Sequence, residues 1–144
     1  MSSSPLHDVE LVVAAKRVRS NAYAPYSGFS VGAAVRLVSG EMSLGVNFEN
    51  VSSGLTVCAE RNALAAALSQ GAAGADVAAV AVAAEATQPP SPCGACRQVF
   101  IEILPDEVPI YMVNVRTDEV RMTTVGELMP LAFRATSLPK PPQR

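Results

Sequence analysis

The chain has 144 residues, the size of a single domain, with 11 Lys and Arg against 13 Asp and Glu, a formal net charge of −2, and 49% hydrophobic residues. That balance lacks the surplus of cations needed to hold polyanionic nucleic acid, is too apolar for a disordered chain, and contains no uninterrupted apolar run long enough to cross a bilayer. The expectation is a soluble single domain over residues 1–136 with a disordered Pro-rich tail over 137–144.

The start, Met-Ser-Ser-Ser-Pro, has neither the basic opening nor the apolar run of a secretory signal, so a reducing, cytoplasmic setting is expected. Ser4 and Pro5 suit an N-cap and first helical position, and Val9, Val12 and Val13 then supply one apolar face, predicting a helix over 5–20. A loop rich in Pro, Gly, Ser and aromatic residues follows over 21–28. Strands are predicted over 30–38 and 41–48, joined at Ser39-Gly40 as a tight hairpin. Residues 50–54 read as a loop. Ala63, Leu64, Ala67 and Leu68 recur at helical spacing over 57–69, with Gly71 as the stop. Residues 76–84 alternate Val and Ala with no polar face, as a strand covered on both sides would. Gln88-Pro-Pro-Ser-Pro92 breaks the pattern. A helix over 94–104 carries Val99, Phe100, Ile103 and Leu104, a strand covers 109–115, and a short helix over 125–129 closes the fold. Strands alternating with helices after an opening hairpin give a three-layer α/β/α sandwich with a mixed sheet.

The chemistry gathers at Cys58, Cys93 and Cys96. Three cysteines are an odd count that cannot close a complete disulfide framework within one chain. All three fall at the starts of predicted helices, where exposed N–H groups and the helix dipole favour thiolate over thiol. Cys93-Gly-Ala-Cys96 has the spacing that brings two sulfurs onto one metal, and Cys58 supplies a third from the other helix. Three protein ligands leave a coordination position for water, the mark of a catalytic rather than a structural zinc site. The single histidine, His7, reads as a surface residue of the first helix. Glu60, two residues after Cys58, is a candidate to take a proton from water at the metal; taken alone it would read as a helix-dipole partner. Arg61 and Arg97 adjoin the ligand clusters. Zinc with three thiolates carries a net charge of about −1, which a nearby guanidinium would moderate; both arginines could equally be ordinary helix-surface residues.

Cys58-Ala59-Glu60 together with Pro92-Cys93-Gly94-Ala95-Cys96-Arg97-Gln98 resembles the zinc signature of the cytidine deaminase family, in its small form with cysteine as first ligand. The likeness extends from residues 22–29 through Gly45-Val46-Asn47-Phe48-Glu49-Asn50 to Leu131-Ala132-Phe133. It implies a mixed five-stranded sheet, one zinc ion per chain, hydrolytic deamination of cytidine and deoxycytidine, and a homotetramer whose active sites borrow residues from neighbouring subunits. In that reading Glu60 takes the proton of the attacking water, passes it to the ring nitrogen beside the reacting carbon, and later protonates the departing ammonia. The backbone near Ala59 and Cys93 anchors the base. Asn47 and Glu49 bond the ribose hydroxyls, Phe29 packs over base or sugar, Phe133 is lent by another subunit, and Gln98 supports the metal ligands from behind.

Asn47 and Glu49 also have a chemical logic of their own, since residues two apart at a strand end point the same way and offer an amide and a carboxylate to a sugar. Both phenylalanines, taken alone, would read as core. Ser53 departs from the family, where many members carry tyrosine, and bears on the subunit contact and substrate lid. Asn47 and Glu49 favour an ordinary nucleoside over blasticidin. The rival readings are a thiol oxidoreductase built on Cys93-Gly-Ala-Cys96, which leaves Cys58 and Glu60 without purpose, and a zinc-stabilised binding module without turnover.

Overall fold

The computed structural model describes residues 8–142; Ser4, Pro5, His7 and the last two residues of the tail lie outside the described residues. In chain order the elements are α1 (Val9–Val18), β1 (Val31–Leu37), β2 (Met42–Val46), α2 (Ala59–Ser69), β3 (Val77–Ala84), α3 (Gly94–Ile103), β4 (Pro109–Asn114), β5 (Val120–Thr124) and α4 (Val125–Leu128). The strands form one sheet in the order β2-β1-β3-β4-β5. Only β3 and β4 run parallel, joined by the α3 crossover, and the other neighbours are antiparallel. This is the mixed five-stranded α/β arrangement expected. The pattern reading located four of the strands; β5, which follows the turn around Asp118, is the addition.

Residues 5–7 of the predicted helix lie outside the described residues; within the described residues the first helix begins at Val9, where Asp8 takes extended backbone angles and its carboxylate accepts the Leu11 N–H at 3.0 Å. That satisfies one of the unpaired N–H groups of the first turn. The same carboxylate receives Arg36 Nε at 2.6 Å and Nη2 at 2.7 Å, tying α1 to β1.

Strand alternation sorts the core into two layers. On one face Val35, Val80, Val82 and Ile110 pack with Leu64 of α2 and Phe100 of α3. On the other, Ala34, Ala79, Ala81 and Ala83 meet Leu11, Val12 and Ala15 of α1. Small side chains let α1 lie close to the sheet. At Gly32 the approach leaves no room at all, since a Cβ there would stand 2.1 Å from the Ala15 carbonyl oxygen. Gly45 plays the same part on the opposite face, where its Cβ would stand 2.3 Å from the Ala63 nitrogen, so β2 passes over α2 in backbone contact. Among the described residues no helix is long and apolar enough to cross a membrane.

Candidate active site

Two helix starts carry the sulfurs. Cys58 is the N-cap of α2 and Cys93 the N-cap of α3, both with extended backbone, and neither side chain caps its own helix. Cys96 is buried in the first turn of α3. The Cys58 and Cys93 sulfurs lie 3.6 Å apart, and all three sulfurs fall within 4.8 Å of one another. A disulfide needs about 2.05 Å, so these are free thiols. Zinc–sulfur bonds of about 2.3 Å at tetrahedral angles set sulfurs about 3.8 Å apart, so the donor set fits zinc in type and spacing. Among the described residues no fourth His, Cys or carboxylate joins the cluster.

Charge at the cluster is already arranged for thiolate. The Cys58 thiol is held down to about 5, first by the Cys96 thiol and also by Arg61, whose Nη2 stands 3.5 Å from its sulfur. The shared proton and burial push Cys96 up, so of this pair Cys58 carries the negative charge. Contact with the Cys58 sulfur in turn raises Arg61, keeping it cationic. Arg61 Nε is buried and, among the described residues, the one side-chain nitrogen or oxygen so buried without a partner. Burial pushes the Glu60 carboxyl up, with the Cys58 charge adding to that shift.

A cavity of about 170 Å³ opens beside the sulfurs, lined by Cys58, Cys93, Glu60, Asn47 and Phe29, together with Val31, Thr56, Val82, Pro90 and Ser91. The start of β1 at Val31, paired with the end of β3 at Ala84, places it at one end of the interior strands. Drug-sized ligands fill about 300 Å³ or more, so this space suits a single ring, leaving any attached group at the mouth. A larger groove of about 630 Å³ between α1 and β2, lined by Val9, Val13, Met42 and Leu44 among others, carries no metal-ligand cluster.

The other candidates divide by position. Ala59 is buried at the first position of α2. Asn47 is buried, and its amide donates to the Phe29 carbonyl at 2.8 Å and accepts from the Val31 N–H at 2.8 Å. Glu49 Oε1 accepts the N–H groups of Tyr26 at 2.9 Å and Ser27 at 3.1 Å, and the Ser27 side chain and these amides hold its carboxyl below the usual range. Both residues therefore brace the aromatic loop that presents Phe29, which is 45% exposed. Phe133 is 63% exposed and stands apart from the cavity lining; its carbonyl accepts from Gln98 Nε2 at 2.9 Å. Ser53 lies exposed in a single helical turn, Ser53–Leu55. Arg97 bonds to Ser91, Pro92 and Leu128, with no recorded bond to a sulfur. Thr56, Val82, Pro90 and Ser91 are cavity residues that the motif reading did not single out; for Pro90 and Ser91 the only signal was their place just before Cys93.

A sequence-family model described as "Cytidine and deoxycytidylate deaminase zinc-binding region" matches residues 6–112. The chain belongs to the cytidine deaminase family of enzymes. It is 46% identical over 128 residues to the cytidine deaminase of Halalkalibacterium halodurans, covering 89% of this chain and 95% of that protein. The cytidine deaminase of Mycobacterium tuberculosis is 39% identical over 126 residues, covering 88% of this chain and 89% of that one. Among solved structures, the cytidine deaminase of Burkholderia pseudomallei superposes with a TM-score of 0.84 at 47% identity, covering 88% of this chain and 98% of that one. Cys58, Cys93 and Cys96 all lie within the residues that this zinc-binding-region model matches.

Proposed function

We propose that the chain hydrolyses cytidine and deoxycytidine to uridine and deoxyuridine, releasing ammonia, as a single domain over residues 1–136 that serves pyrimidine salvage in the cytoplasm. The observation that carries this reading is a cluster of three cysteine sulfurs, two of which, on Cys58 and Cys93, line one ring-sized cavity together with the buried Glu60. Cys58, Cys93 and Cys96 hold one zinc ion per chain. Bound there, zinc supplies Lewis acidity that makes water a competent nucleophile near neutral pH.

The remaining work falls to the protein. Glu60 takes a proton from the attacking water and delivers it to the ring nitrogen beside the reacting carbon. It then brings the water's second proton to the departing amino group, so that water and the amine are exchanged for a carbonyl and ammonia. Arg61 offsets the negative charge of the thiolates. The backbone near Ala59 and Cys93 anchors the base, and burial of the ring excludes bulk water. The ring fills the cavity, leaving the sugar at the mouth, where Asn47 and Glu49 meet its hydroxyls and Phe29 packs against it. Gln98 steadies the C-terminal segment that carries Phe133. That segment, with Leu131 fully exposed and Phe133 largely so, suits a homotetramer in which Phe133 reaches a neighbouring site.

Metal analysis combined with a cytidine assay tests this reading. The expected result is about one zinc per chain and loss of cytidine absorbance as uridine forms. A metal-free protein cycling between dithiol and disulfide would instead identify a thiol oxidoreductase. Bound zinc without turnover would identify a binding module, and turnover of blasticidin but not cytidine an analogue deaminase.

A further inference from the structure

The segment Gln88-Pro89-Pro90-Ser91-Pro92 forms part of the cavity wall and leads directly into Cys93. Three of its five residues are prolines, which lack an N–H donor. Among the described residues no backbone-to-backbone hydrogen bond is recorded for 88–92. This stretch cannot hold itself in place by its own main chain; something outside it must.

Arg97 does so with all three guanidinium nitrogens, each on a different acceptor. Nε donates to the Pro92 carbonyl at 2.7 Å, Nη1 to the Leu128 carbonyl at 2.9 Å, and Nη2 to the Ser91 hydroxyl. Leu128 ends α4, so its carbonyl is one that the helix itself leaves unpaired. The guanidinium thus joins the cavity wall, the start of the cysteine-bearing helix α3 and the end of α4. Because Ser91 Oγ accepts from Arg97, its hydroxyl hydrogen stays free to be donated.

We infer that Arg97 is a positioning residue for substrate recognition: through the fan of three donors it fixes Ser91 in the wall of the base cavity and Pro92 between that wall and Cys93, independently of the charge it places near the thiolates. This rests on the cytidine-deaminating reading. The distinction is sharp because a lysine retains the positive charge but offers one point donor in place of a rigid planar fork. Moderation of thiolate charge survives an Arg-to-Lys change, whereas a three-point clamp does not.

The test uses the full chain loaded with zinc. Arg97→Lys and Arg97→Ala are expected to retain about one zinc per chain. Both should raise the KM for cytidine about tenfold while kcat per bound zinc changes less than about threefold, as loss of charge-assisted hydrogen bonds at a binding wall would produce. Ser91→Ala added to Arg97→Lys should cost less than Ser91→Ala alone. Backbone amide NMR order parameters at Gln88, Ser91 and Cys93 should fall in both Arg97 variants. Wild-type KM in Arg97→Lys, a fall in kcat at unchanged KM, zinc lost from Arg97→Lys, or unaltered order parameters at those amides would each overturn the inference. If the zinc-loaded parent leaves cytidine untouched, the functional reading falls, and the order parameters still decide whether Arg97 holds this segment.

Discussion

At the residue scale the site depends on chemistry placed where the backbone alone already favours negative charge. Two cysteines occupy N-cap positions and a third lies in a first turn, so all three sit at the positive ends of helices before any metal contributes. Glu60 follows within the same turn as Cys58 and is buried. Glutamine fills nearly the same volume in that setting, so the replacement isolates the chemistry of the carboxyl. Glu60→Gln is expected to retain zinc and fold while losing about a hundredfold to ten-thousandfold in kcat, the range for general acid–base groups; steady-state turnover beside metal analysis checks this. The cysteines and Glu60 were legible in the sequence because spacing along a helix start fixes direction in space. The destination of Arg97 was not. Its three acceptors include a carbonyl 31 residues away, a meeting set by how α4 docks and by nothing local. Asn47 and Glu49 were legible as polar groups at a strand end, yet their bonds to the loop over 23–29 depend on tertiary packing.

At the element scale, periodicity revealed the two core helices α2 and α3, the hairpin and the fully covered β3, since each has a long repeat of apolar residues. It missed β5, whose Val-Arg-Met-Thr-Thr sequence lies at the sheet edge with no fully buried residue, so no apolar alternation marks it. The crossing of β2 over α2 is equally invisible in sequence beyond a glycine. That glycine is the hinge of the site, because β2 leads into Asn47 and α2 begins at the metal. Gly45→Ala would place a Cβ within 2.5 Å of the Ala59 carbonyl oxygen, forcing the helix start outward. Destabilisation of about 1–3 kcal/mol in urea unfolding is expected, with reduced zinc per chain. Gly54→Ala, where a Cβ meets nothing within 4 Å, is the matched control and should leave both unchanged.

At the scale of the whole molecule, two cross-links join parts far apart in the chain. The first is the Asp8–Arg36 pair between α1 and β1, with the Arg36 side chain only 16% exposed. The Arg36 guanidinium holds the Asp8 carboxyl below its ordinary 3.8. A carboxyl lowered on folding adds stability that is complete above its unfolded value and disappears as pH falls through its folded one. Asp8→Asn keeps an equally good helix cap, so it should lower stability by about 1 kcal/mol at pH 7 after solvent screening. That difference should close as pH drops below about 4, as paired thermal melts would show. The second cross-link is the sulfur trio, which unites helices whose cysteines are 35 residues apart. Chelation should lower the melting temperature and speed hydrogen exchange first at the starts of α2 and α3.

Held by zinc as proposed, the two helices would make the lifetime of the folded protein answer to metal supply. Stabilisation by a ligand that binds only the native chain grows logarithmically with free concentration, reaching about 2.7 kcal/mol at a hundred times its dissociation constant. Cells starved of zinc would therefore lose this protein by degradation as well as by inactivity, and its abundance would track the free ion as a slow gauge.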